Sequence, residues 1–383
     1  MTTPPTTQPP TTQSQARPAV RETLPGPAYH SEETYRIDRD KVFYRNWVYV
    51  GRAERLPRAG SWLRVEIADE SILVVRGKDE QLRGFYNVCR HRGSRICDEE
   101  QGFARSHLRC PYHAWGYALD GTLVTTPMIE KDEIDRASTS LFPVHLDVWE
   151  GFVFVNLSRS TPQPLLEALA DQQDEPLALA RVGLSQLRIG HVSTVDVQAN
   201  WKIVLENYNE CLHCPTVHPE LMDVVPAYRK GSVHEAGRDD GGVTLADGRT
   251  SVALDPRLRL PLLPGLKGQD GPASYFGAAV YPTMFLDVDG STALATAVFP
   301  TGPQSCRLVT EYLFSPEALD DPDFDPQPVI DFNELVTRQD NEACERVQRG
   351  VTSRAFEHGV FPAKDGWVYG FDQRYLRDVE SAG

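Results

Sequence analysis

The sequence predicts an α+β protein of two domains, in which a small all-β domain precedes a larger domain of antiparallel strands and helices. The 383 residues exceed the size at which one hydrophobic core usually suffices. Residues 51–157 contain short strand-like segments separated by turn residues, with a hairpin signal at Asp120 and Gly121. Farther along, two helical stretches enclose three apolar segments, at residues 274–287, 291–299 and 307–314. This arrangement indicates an antiparallel sheet that carries helices.

The first fifty residues divide into a tail and a helix. Pro and Thr occur almost throughout residues 1–26, with few apolar residues and no period. This composition predicts a disordered tail. Ser31 then precedes apolar positions that include Tyr35 and Phe43, the pattern of a capped amphipathic helix. We expect residues 27–50 to pack this helix on the second domain.

Residues 206–218 offer a set of metal-binding side chains. Glu210 and His213 are three apart and would share one face of a helix. His213 and His218 are five apart and would diverge on a continuous helix. Pro215 lies between them, where it would end or kink the helix and let His218 swing back. Two imidazoles and one more carboxylate would form the 2-His-1-carboxylate set, which leaves open positions on Fe(II) for dioxygen. The alternative is a pair of polar histidines at a helix end.

Two short loops upstream each offer one cysteine and one histidine. Cys89 and His91 form a C-x-H pattern, and Cys110 and His113 form a C-x-x-H pattern. Four nitrogen and sulfur ligands on two loops suit either zinc or an iron–sulfur cluster. Zinc loops usually pair like ligands, whereas a Rieske [2Fe–2S] centre takes two Cys on one iron and two His on the other. The alternation of Cys and His favours the Rieske centre.

On these residues the chain resembles the oxygenase (alpha) subunit of Rieske non-haem iron oxygenases, from about residue 35 to residue 377. The resemblance is carried by residues 87–93, 110–115, 200–202, 206–219 and 338–345. It implies an all-β Rieske [2Fe–2S] domain and a helix-grip-like catalytic domain with an antiparallel sheet and helices. We expect these domains at residues 51–157 and 158–383.

The same resemblance implies a role for each site residue. The [2Fe–2S] cluster would be held by Cys89, His91, Cys110 and His113. The mononuclear Fe(II) would be held by His213, His218 and Asp340. Glu210 would bridge the two centres through His213 of its own chain and His113 of the partner subunit. Leu212 departs from the family, which often has Tyr there, so a hydroxyl group that could hydrogen-bond the site is missing.

The third iron ligand rests on the resemblance alone. A helix is predicted over residues 328–349, with Pro near its first turn. Its candidate carboxylates are Asp331, Glu334, Asp340, Glu342 and Glu345. Helical spacing does not single out Asp340, because Asp331 and Glu334 fall on overlapping stripes of the helix.

Composition restricts the class of protein. With 39 basic and 54 acidic residues the formal charge is −15, which disfavours nucleic acid as a partner. Seven cysteines without the spacing of small secreted domains fit a reducing compartment. No secretory signal and no apolar run of about 20 residues is found, so we expect a cytoplasmic protein with no membrane partner. Cys211 and Cys214 form a C-x-x-C that could be a redox or zinc pair, but we expect small buried packing residues.

The resemblance implies a terminal oxygenase that uses dioxygen and electrons from elsewhere. No G-x-G-x-x-G opens a helix after a strand, so a separate NAD(P)H-dependent flavin/iron–sulfur reductase, directly or through a ferredoxin, is the expected partner. A homotrimer is implied, in which each Rieske domain serves the iron of the next subunit. Two other classes stay open. A non-catalytic Rieske electron carrier has no second iron, and a zinc hydrolase with Glu210 as base leaves the Cys/His loops unexplained.

The substrate prediction starts from Glu210, since most of the family carries Asp there. With Glu210 at this position, the chain resembles the branch of the family that oxidises small quaternary ammonium compounds such as glycine betaine, carnitine and proline betaine. The expected reaction is N-demethylation or hydroxylation. A quaternary cation favours aromatic faces, and the candidate walls are Tyr208, Tyr275, Phe276, Tyr281, Phe285, Phe356 and Trp367. The alternatives are aromatic-ring hydroxylation and N-oxygenation of a small amine. Residues 230–272, rich in Gly, Asp and Pro, are expected to form a lid or a mobile connection.

Overall fold

The computed structural model describes residues 21–130, 132–173, 175–231, 242–268 and 273–381. The strands are β1 (Arg21–Glu22), β2 (Val48–Arg52), β3 (Ser61–Ile67), β4 (Glu70–Arg76), β5 (Leu82–Tyr86), β6 (Gln101–Phe103), β7 (His107–Arg109), β8 (Gly116–Ala118), β9 (Leu123–Thr125), β10 (Pro143–Trp149), β11 (Phe152–Asn156), β12 (Arg188–Val197), β13 (Val243–Thr244), β14 (Ser274–Val280), β15 (Met284–Val288), β16 (Thr292–Gly302), β17 (Ser305–Phe314) and β18 (Val360–Phe361). The α-helices are α1 (Glu32–Ile37), α2 (Leu165–Ala170), α3 (Trp201–Tyr208), α4 (Cys214–Val217), α5 (Pro219–Val224), α6 (Pro316–Leu319), α7 (Gln327–Val351) and α8 (Gly366–Glu380).

The first half of the fold is a seven-stranded antiparallel sheet of order β2-β11-β10-β5-β4-β3-β6, accompanied by the small sheet β7-β8-β9. Strand β4 is buried on both faces, because Ile72 and Val74 pack into one hydrophobic cluster while Leu73 and Val75 pack into another. The second of these clusters also contains Cys89, Cys110 and Trp115 from the two Cys/His loops. The sheet therefore supports the Cys/His loops from beneath, and the hairpin predicted near Gly121 is confirmed between β8 and β9.

The second half is a six-stranded antiparallel sheet of order β12-β17-β16-β15-β14-β13. The predicted strands are confirmed, except that residues 274–287 form two strands, β14 and β15, with a turn at Tyr281 and Pro282. Side chains alternate between the two faces as the strand period requires. On β16, Ala293 and Ala295 pack into the core, whereas Thr296 lines a cavity. Helices α3 and α7 cover this cavity face of the sheet.

The N-terminal helix is attached to the second half through one buried carboxylate. Ser31 caps α1 by accepting the backbone N–H of Thr34 at 3.0 Å, as the sequence predicts. After Ile37 the chain continues as a π-helix, Asp38–Phe43. Asp38 is fully buried and accepts hydrogen bonds from Trp201 Nε1 at 2.9 Å, Tyr375 Oη at 2.8 Å and Lys202 Nζ. Since Lys202 is also fully buried, this ion pair ties the N-terminal helix to α3 and α8.

The disordered tail predicted for residues 1–26 is wrong for residues 21–26. Strand β1 pairs with β18 from the far end of the chain, and Leu24 is buried. Gly26 opens a short 3₁₀ helix, where a Cβ atom would lie 2.8 Å from the carbonyl oxygen of Val351. Composition did not reveal this segment because its partners are more than 300 residues away. Residues 1–20 lie outside the described residues.

Part of the predicted lid is packed onto the sheet. Strand β13 pairs with β14, and Val252 and Leu263 are buried. Asp289 accepts the backbone N–H groups of Val252 and Ser291 at 2.7 and 2.8 Å, so residues 242–268 are held by the sheet rather than forming a free connection. The rest of this prediction, at residues 232–241 and 269–272, lies outside the described residues. Among the residues that the structure describes, none of the helices combines the length and apolar character that a membrane crossing requires.

Candidate metal centres and substrate cavity

Two histidines and one aspartate converge on the cavity face of the six-stranded sheet. Asp340 Oδ1 lies 3.3 Å from His213 Nε2 and 2.9 Å from His218 Nε2. One donor atom from each of the three residues lies within 4.8 Å of the other two. Helix α7 supplies the aspartate, and the segment after α3 supplies both histidines. Two imidazole nitrogens and one carboxylate oxygen at this spacing suit a divalent metal such as Fe(II).

The prediction that Glu210 and His213 share a helix, which Pro215 would end or kink, is wrong. Helix α3 ends at Tyr208, and His213 is the N-cap residue of the separate short helix α4. Pro215 lies in the first turn of α4, where a missing N–H costs nothing because it would have no helical partner. His218 in turn is the N-cap residue of α5. Helix ends therefore place the two imidazoles.

Each histidine is oriented through its second ring nitrogen. His213 Nδ1 lies 2.5 Å from Glu210 Oε1, and Glu210 also accepts the backbone N–H groups of Leu212 and His213. His218 Nδ1 lies 2.8 Å from Gln339 Oε1, and Gln339 Nε2 donates to Glu220. Such contacts fix the ring orientation and leave Nε2 free for a metal. The contact of Glu210 with His213 is present, but a turn makes it rather than a helix face.

Gln339 was not predicted, although it adjoins Asp340 in the sequence. The side chain of Leu212 is substantially exposed, and only its backbone takes part in the network around Glu210.

The charges around the site of His213, His218 and Asp340 favour a bound cation. Burial alone would lower the pKa of His213, but its contacts with Asp340 and Glu210 outweigh burial and raise the pKa to about 9. Burial alone would raise the pKa of Asp340, but contacts with both histidines hold it below its usual range. Both shifts show that the two carboxylates stabilise positive charge at the point where they meet the imidazoles. A divalent metal would supply this charge.

The other candidate carboxylates on α7 lie elsewhere. Asp331, Glu334 and Glu342 are exposed. Glu345 accepts the backbone N–H of Gln198 at 3.2 Å. Among the five candidates, Asp340 alone lies within 3.3 Å of both histidine Nε2 atoms.

The four predicted cluster ligands come together at the ends of two loops. The rings of His91 and His113 lie 4.5 Å apart between centroids, and Cys89 and Cys110 are both buried and interact with each other. The Nδ1 atoms of His91 and His113 are buried and have no hydrogen-bond partner among the described residues. Buried polar atoms are normally satisfied. Two unpaired imidazole nitrogens and two buried thiols on the same pair of loops therefore fit a Rieske cluster that would bind all four.

Neighbouring aromatic side chains shape the cluster site. Trp115 is buried and stacks on His91 with centroids 4.6 Å apart. Tyr117 accepts the backbone N–H of Arg90 at 2.9 Å, and its hydroxyl group lies 3.3 Å from Cys89 Sγ. Trp115 was predicted as cover for the cluster, whereas Tyr117 was not recognised. A hydrogen bond to a ligating sulfur is one of the features that tune a cluster potential.

Cys211 and Cys214 are joined by a disulfide bond, so the prediction of two separate packing residues is wrong. Both are buried in one hydrophobic cluster, as predicted. The turn between Glu210 and α4 brings their Cα atoms to 4.9 Å, which is within the range that a disulfide requires. The pairing was missed because both side chains were expected to point away from the metal-facing side of His213, which made packing the simpler interpretation of the C-x-x-C pattern.

A cavity of about 180 Å³ opens beside the histidines. Of the predicted aromatic walls, Tyr208, Tyr275, Phe285 and Trp367 line it. Phe276, Tyr281 and Phe356 do not line it, and for Phe276 the cause is strand alternation, which directs this ring into the core on the other face. The lining residues Tyr228, Tyr312 and Asp287 were not predicted. Alternation along β15 and β17 could have found Asp287 and Tyr312 once the register was known, whereas Tyr228 lies in the short 3₁₀ helix Pro226–Lys230.

Asp287 is held by two of the aromatic residues. Tyr208 Oη donates to Asp287 Oδ1 at 2.7 Å, and Tyr275 Oη donates to the same oxygen at 2.5 Å. Tyr208 also stacks on Phe285, with centroids 4.2 Å apart and planes 10° from parallel. Burial raises the pKa of Asp287 to about 6, although the two tyrosine hydroxyl groups oppose the shift.

A Cys₂His₂ site on strand loops and a 2-His-1-carboxylate site in one chain define the class of Rieske non-haem iron oxygenases. Residues 46–144 match the Rieske [2Fe-2S] domain, and residues 184–381 match the catalytic domain of the ring hydroxylating alpha subunit. The chain therefore belongs to the ring-hydroxylating alpha-subunit family. It is an oxidoreductase with a Rieske [2Fe–2S] domain and a catalytic domain that binds mononuclear iron. The predicted family, fold class and cofactors are confirmed, and the carrier and hydrolase alternatives are excluded.

Several known proteins are similar over nearly the whole chain. The glycine betaine monooxygenase oxygenase subunit of Chromohalobacter salexigens is 32% identical over 366 residues, covering 88% of this chain and 81% of that protein. The carnitine monooxygenase oxygenase subunit of Escherichia coli is 30% identical over 351 residues, covering 89% and 87%. A crystal structure of the quaternary ammonium Rieske monooxygenase CntA with an inhibitor has a TM-score of 0.77 at 22% identity, covering 95% and 97%. That structure shows the same fold. An oxygenase subunit implies a separate reductase and a small-molecule substrate.

Proposed function

We propose that this chain is the terminal oxygenase that removes an N-methyl group from a small quaternary ammonium or amine compound. The observation that carries the proposal is the cavity, in which aromatic rings and the carboxylate of Asp287 adjoin His213, His218 and Asp340. Aromatic faces attract quaternary ammonium groups. The names of the relatives from Chromohalobacter salexigens and Escherichia coli support the same substrate class.

The reaction balances with dioxygen, two electrons and two protons. One oxygen atom enters a C–H bond of an N-methyl group, and the other leaves as water. The resulting carbinolamine loses formaldehyde when its C–N bond breaks, so that nitrogen keeps the electron pair and a proton is released. Bound iron would supply the activation of dioxygen at this site. His213, His218 and Asp340 would hold the iron from one side, and Glu210 and Gln339 would fix the two imidazoles.

We further propose a homotrimer in which the Rieske domain of one subunit serves the iron of the next. His91 and His113 are only partly buried, whereas Cys89 and Cys110 are buried. The imidazole side of the cluster therefore faces the surface. Glu210, whose side chain is one-fifth exposed, would accept a hydrogen bond from His113 of the partner subunit and connect it to His213.

The proposal extends to the redox partner and to the domain boundaries. An NAD(P)H-dependent flavin/iron–sulfur reductase, directly or through a ferredoxin, would supply electrons in the cytoplasm. The Rieske domain would span residues 51–157 and the catalytic domain residues 158–383. The N-terminal helix, predicted within residues 27–50, would pack on the latter, although residues 48–50 belong to β2 of the seven-stranded sheet. The family matches at residues 46–144 and 184–381 lie close to these boundaries.

The test is turnover of a substrate panel by the purified protein with a generic Rieske reductase, NADH and dioxygen. We expect formaldehyde release from methylated ammonium compounds and none from the Asp340→Ala variant. Aromatic amines and arenes complete the panel. Hydroxylated or N-oxygenated aromatic products without formaldehyde would establish one of the alternative substrates instead.

A further inference from the structure

One carboxylate in the cavity is not needed to hold the iron. Asp287 lies on β15, where Phe285 and Asp287 face the cavity while Leu286 packs into the core behind the sheet. Part of the Asp287 surface stays open to the cavity. Directly across the ladder lies Gly277, where a Cβ atom would stand 2.9 Å from Tyr208 Oη and 3.5 Å from Asp287 Oδ1. The glycine therefore keeps the space beside the carboxylate open.

The surroundings of Asp287 suit a cationic ligand. A buried carboxylate is costly unless it is paired, and the described residues that line the cavity include no Lys or Arg. The two tyrosine hydroxyl groups share one carboxylate oxygen, Oδ1. Their rings and that of Phe285 line the cavity beside the carboxylate, and Tyr208 stacks on Phe285. An ammonium group would meet a counter-ion and π faces together, which is the environment that strengthens cation binding.

We propose that Asp287 is the counter-ion of the substrate ammonium group, an inference that rests on the proposed function. The cavity therefore selects substrates of net positive charge over zwitterions. Asp287 acts on the positive end of the substrate. Asp340 and Glu210 line the same cavity at the iron. With Fe(II) bound at Asp340, the carboxylates of Asp340, Glu210 and Asp287 still leave the cavity with one negative charge, which disfavours a substrate that carries its own carboxylate.

A second cavity would allow long zwitterions as an exception to this selection. It has a volume of about 130 Å³ and shares Asn209 and Trp367 with the first cavity. Arg374 and Arg377 line it, and Arg374 lies 5.3 Å above the ring of Tyr281. A zwitterion long enough to extend past Trp367 would enter the cavity that these guanidinium groups line. A short zwitterion would not.

The experiment compares choline and tetramethylammonium, which are cations, with glycine betaine and carnitine, which are zwitterions. With the reductase, NADH and dioxygen, we expect kcat/KM for the cations to exceed that for glycine betaine by about tenfold or more. Asp287→Asn should lower kcat/KM for the cations by about 10- to 100-fold, mainly through KM, and should narrow the preference. Asp323→Asn, at an exposed position, is the matched control.

Binding without turnover separates this inference from the proposed function. Calorimetry of tetramethylammonium with the oxidised, iron-loaded protein should give an affinity that Asp287→Asn reduces and Asp323→Asn leaves unchanged. Unchanged cluster absorbance and iron content will show that the Asp287→Asn variant is folded. If cations bind through Asp287 but no methylated amine is demethylated, the inference holds and the proposed function fails.

If glycine betaine is the preferred substrate and Asp287→Asn has no effect on it, the inference is wrong while the proposed function holds. A Tyr208→Phe/Tyr275→Phe double variant checks whether Asp287 only positions the tyrosines. If Asp287 only positions the tyrosines, the double variant would reproduce the full effect of Asp287→Asn on cation binding, and the inference would be wrong.

Discussion

At the scale of single residues, three carboxylates around one cavity differ through their neighbours. Asp340 contacts two imidazoles at the place where they converge. Glu210 is held by a turn and contacts His213 Nδ1, the ring nitrogen that does not face Asp340. Asp287 meets tyrosine hydroxyl groups and aromatic rings. Environment therefore separates a proposed metal ligand, a proposed bridge and a proposed cation partner among chemically equivalent groups.

Asp340→Ala should remove the mononuclear iron and abolish oxygenation while the cluster spectrum stays intact, because the carboxylate reaches only the histidine site. Metal analysis should fall from about three to about two irons per chain. Asp331→Ala, on an exposed turn of the same helix, is the control and should retain all of the iron. Equal iron content in Asp340→Ala and the parent would point to another ligand.

Glu210→Gln should retain both metal centres, because the amide oxygen can still accept the hydrogen bonds of the turn. Turnover should fall by about 100-fold or more, since a neutral side chain no longer couples His213 to His113 of the partner subunit. Single-turnover reoxidation of the reduced cluster, followed by its visible absorbance, measures the coupling. A normal reoxidation rate would contradict the bridging role.

Cation binding should weaken as the pH falls through about 6, the value to which burial raises the pKa of Asp287. The sign follows because a cation binds the ionised carboxylate, which takes up a proton below this pH. The titratable groups that act on it are Tyr208, Tyr228, Tyr275, Asp289 and Asp340. Tetramethylammonium affinity, measured by calorimetry between about pH 5 and pH 8, should lose about tenfold per pH unit on the acid side. Asp287→Asn should abolish this dependence, and its persistence in the variant would assign it to another group.

At the scale of elements, the short helices and turns do more than the regular strands to build the site. The ends of α3, α4 and α5 set the directions of both histidines. The N-terminal helix in turn bears on α3 through the buried pair of Asp38 and Lys202. Burial lowers the pKa of Lys202, and the charge of Asp38 opposes that shift. Removal of one member would leave the other charge unpaired in the core.

Asp38→Ala should therefore lower the free energy of unfolding by about 3–5 kcal/mol. The control is Arg39→Ala, which removes ion pairs with the exposed Asp40 and Asp69 and should cost only about 0–1 kcal/mol. Chemical denaturation followed by circular dichroism measures both. Similar losses in the two variants would mean that the buried pair adds nothing specific to the attachment of the N-terminal helix.

At the scale of the whole molecule, the proposed trimer makes each active site a product of two chains. Coexpression of His113→Ala with Asp340→Ala tests it, since one variant lacks a working cluster and the other lacks the catalytic iron. In randomly mixed cyclic trimers, about a quarter of the chains would combine intact iron with an intact neighbouring cluster. We expect formaldehyde release near that fraction, whereas each variant alone should be inactive. No recovery in mixed trimers of confirmed composition would mean that electrons pass within one chain.

The sequence by itself predicted the ligand types, the cofactors and the strand positions. Those features are local: a C-x-H pattern, a C-x-x-H pattern and alternating apolar residues each lie within a few positions of one another. The short range of the signal is the reason that the cluster loops and the catalytic strands could be recognised. It is also the reason that a helix was wrongly assumed from Glu210 to His213, since a turn and a helix can bring the same two side chains together.

Only the tertiary structure decided which distant groups meet. It brought Asp340, rather than Asp331 or Glu334, to the histidines. It also paired residues 21–22 with residues 360–361 and set Asp287 among the aromatic walls. Each of these contacts joins segments that are far apart in the chain, and each depends on strand register and on which helix face packs inward. A one-residue change in register would turn Asp287 into the core and Phe276 toward the cavity, and composition and spacing along the chain contain no measure of that register.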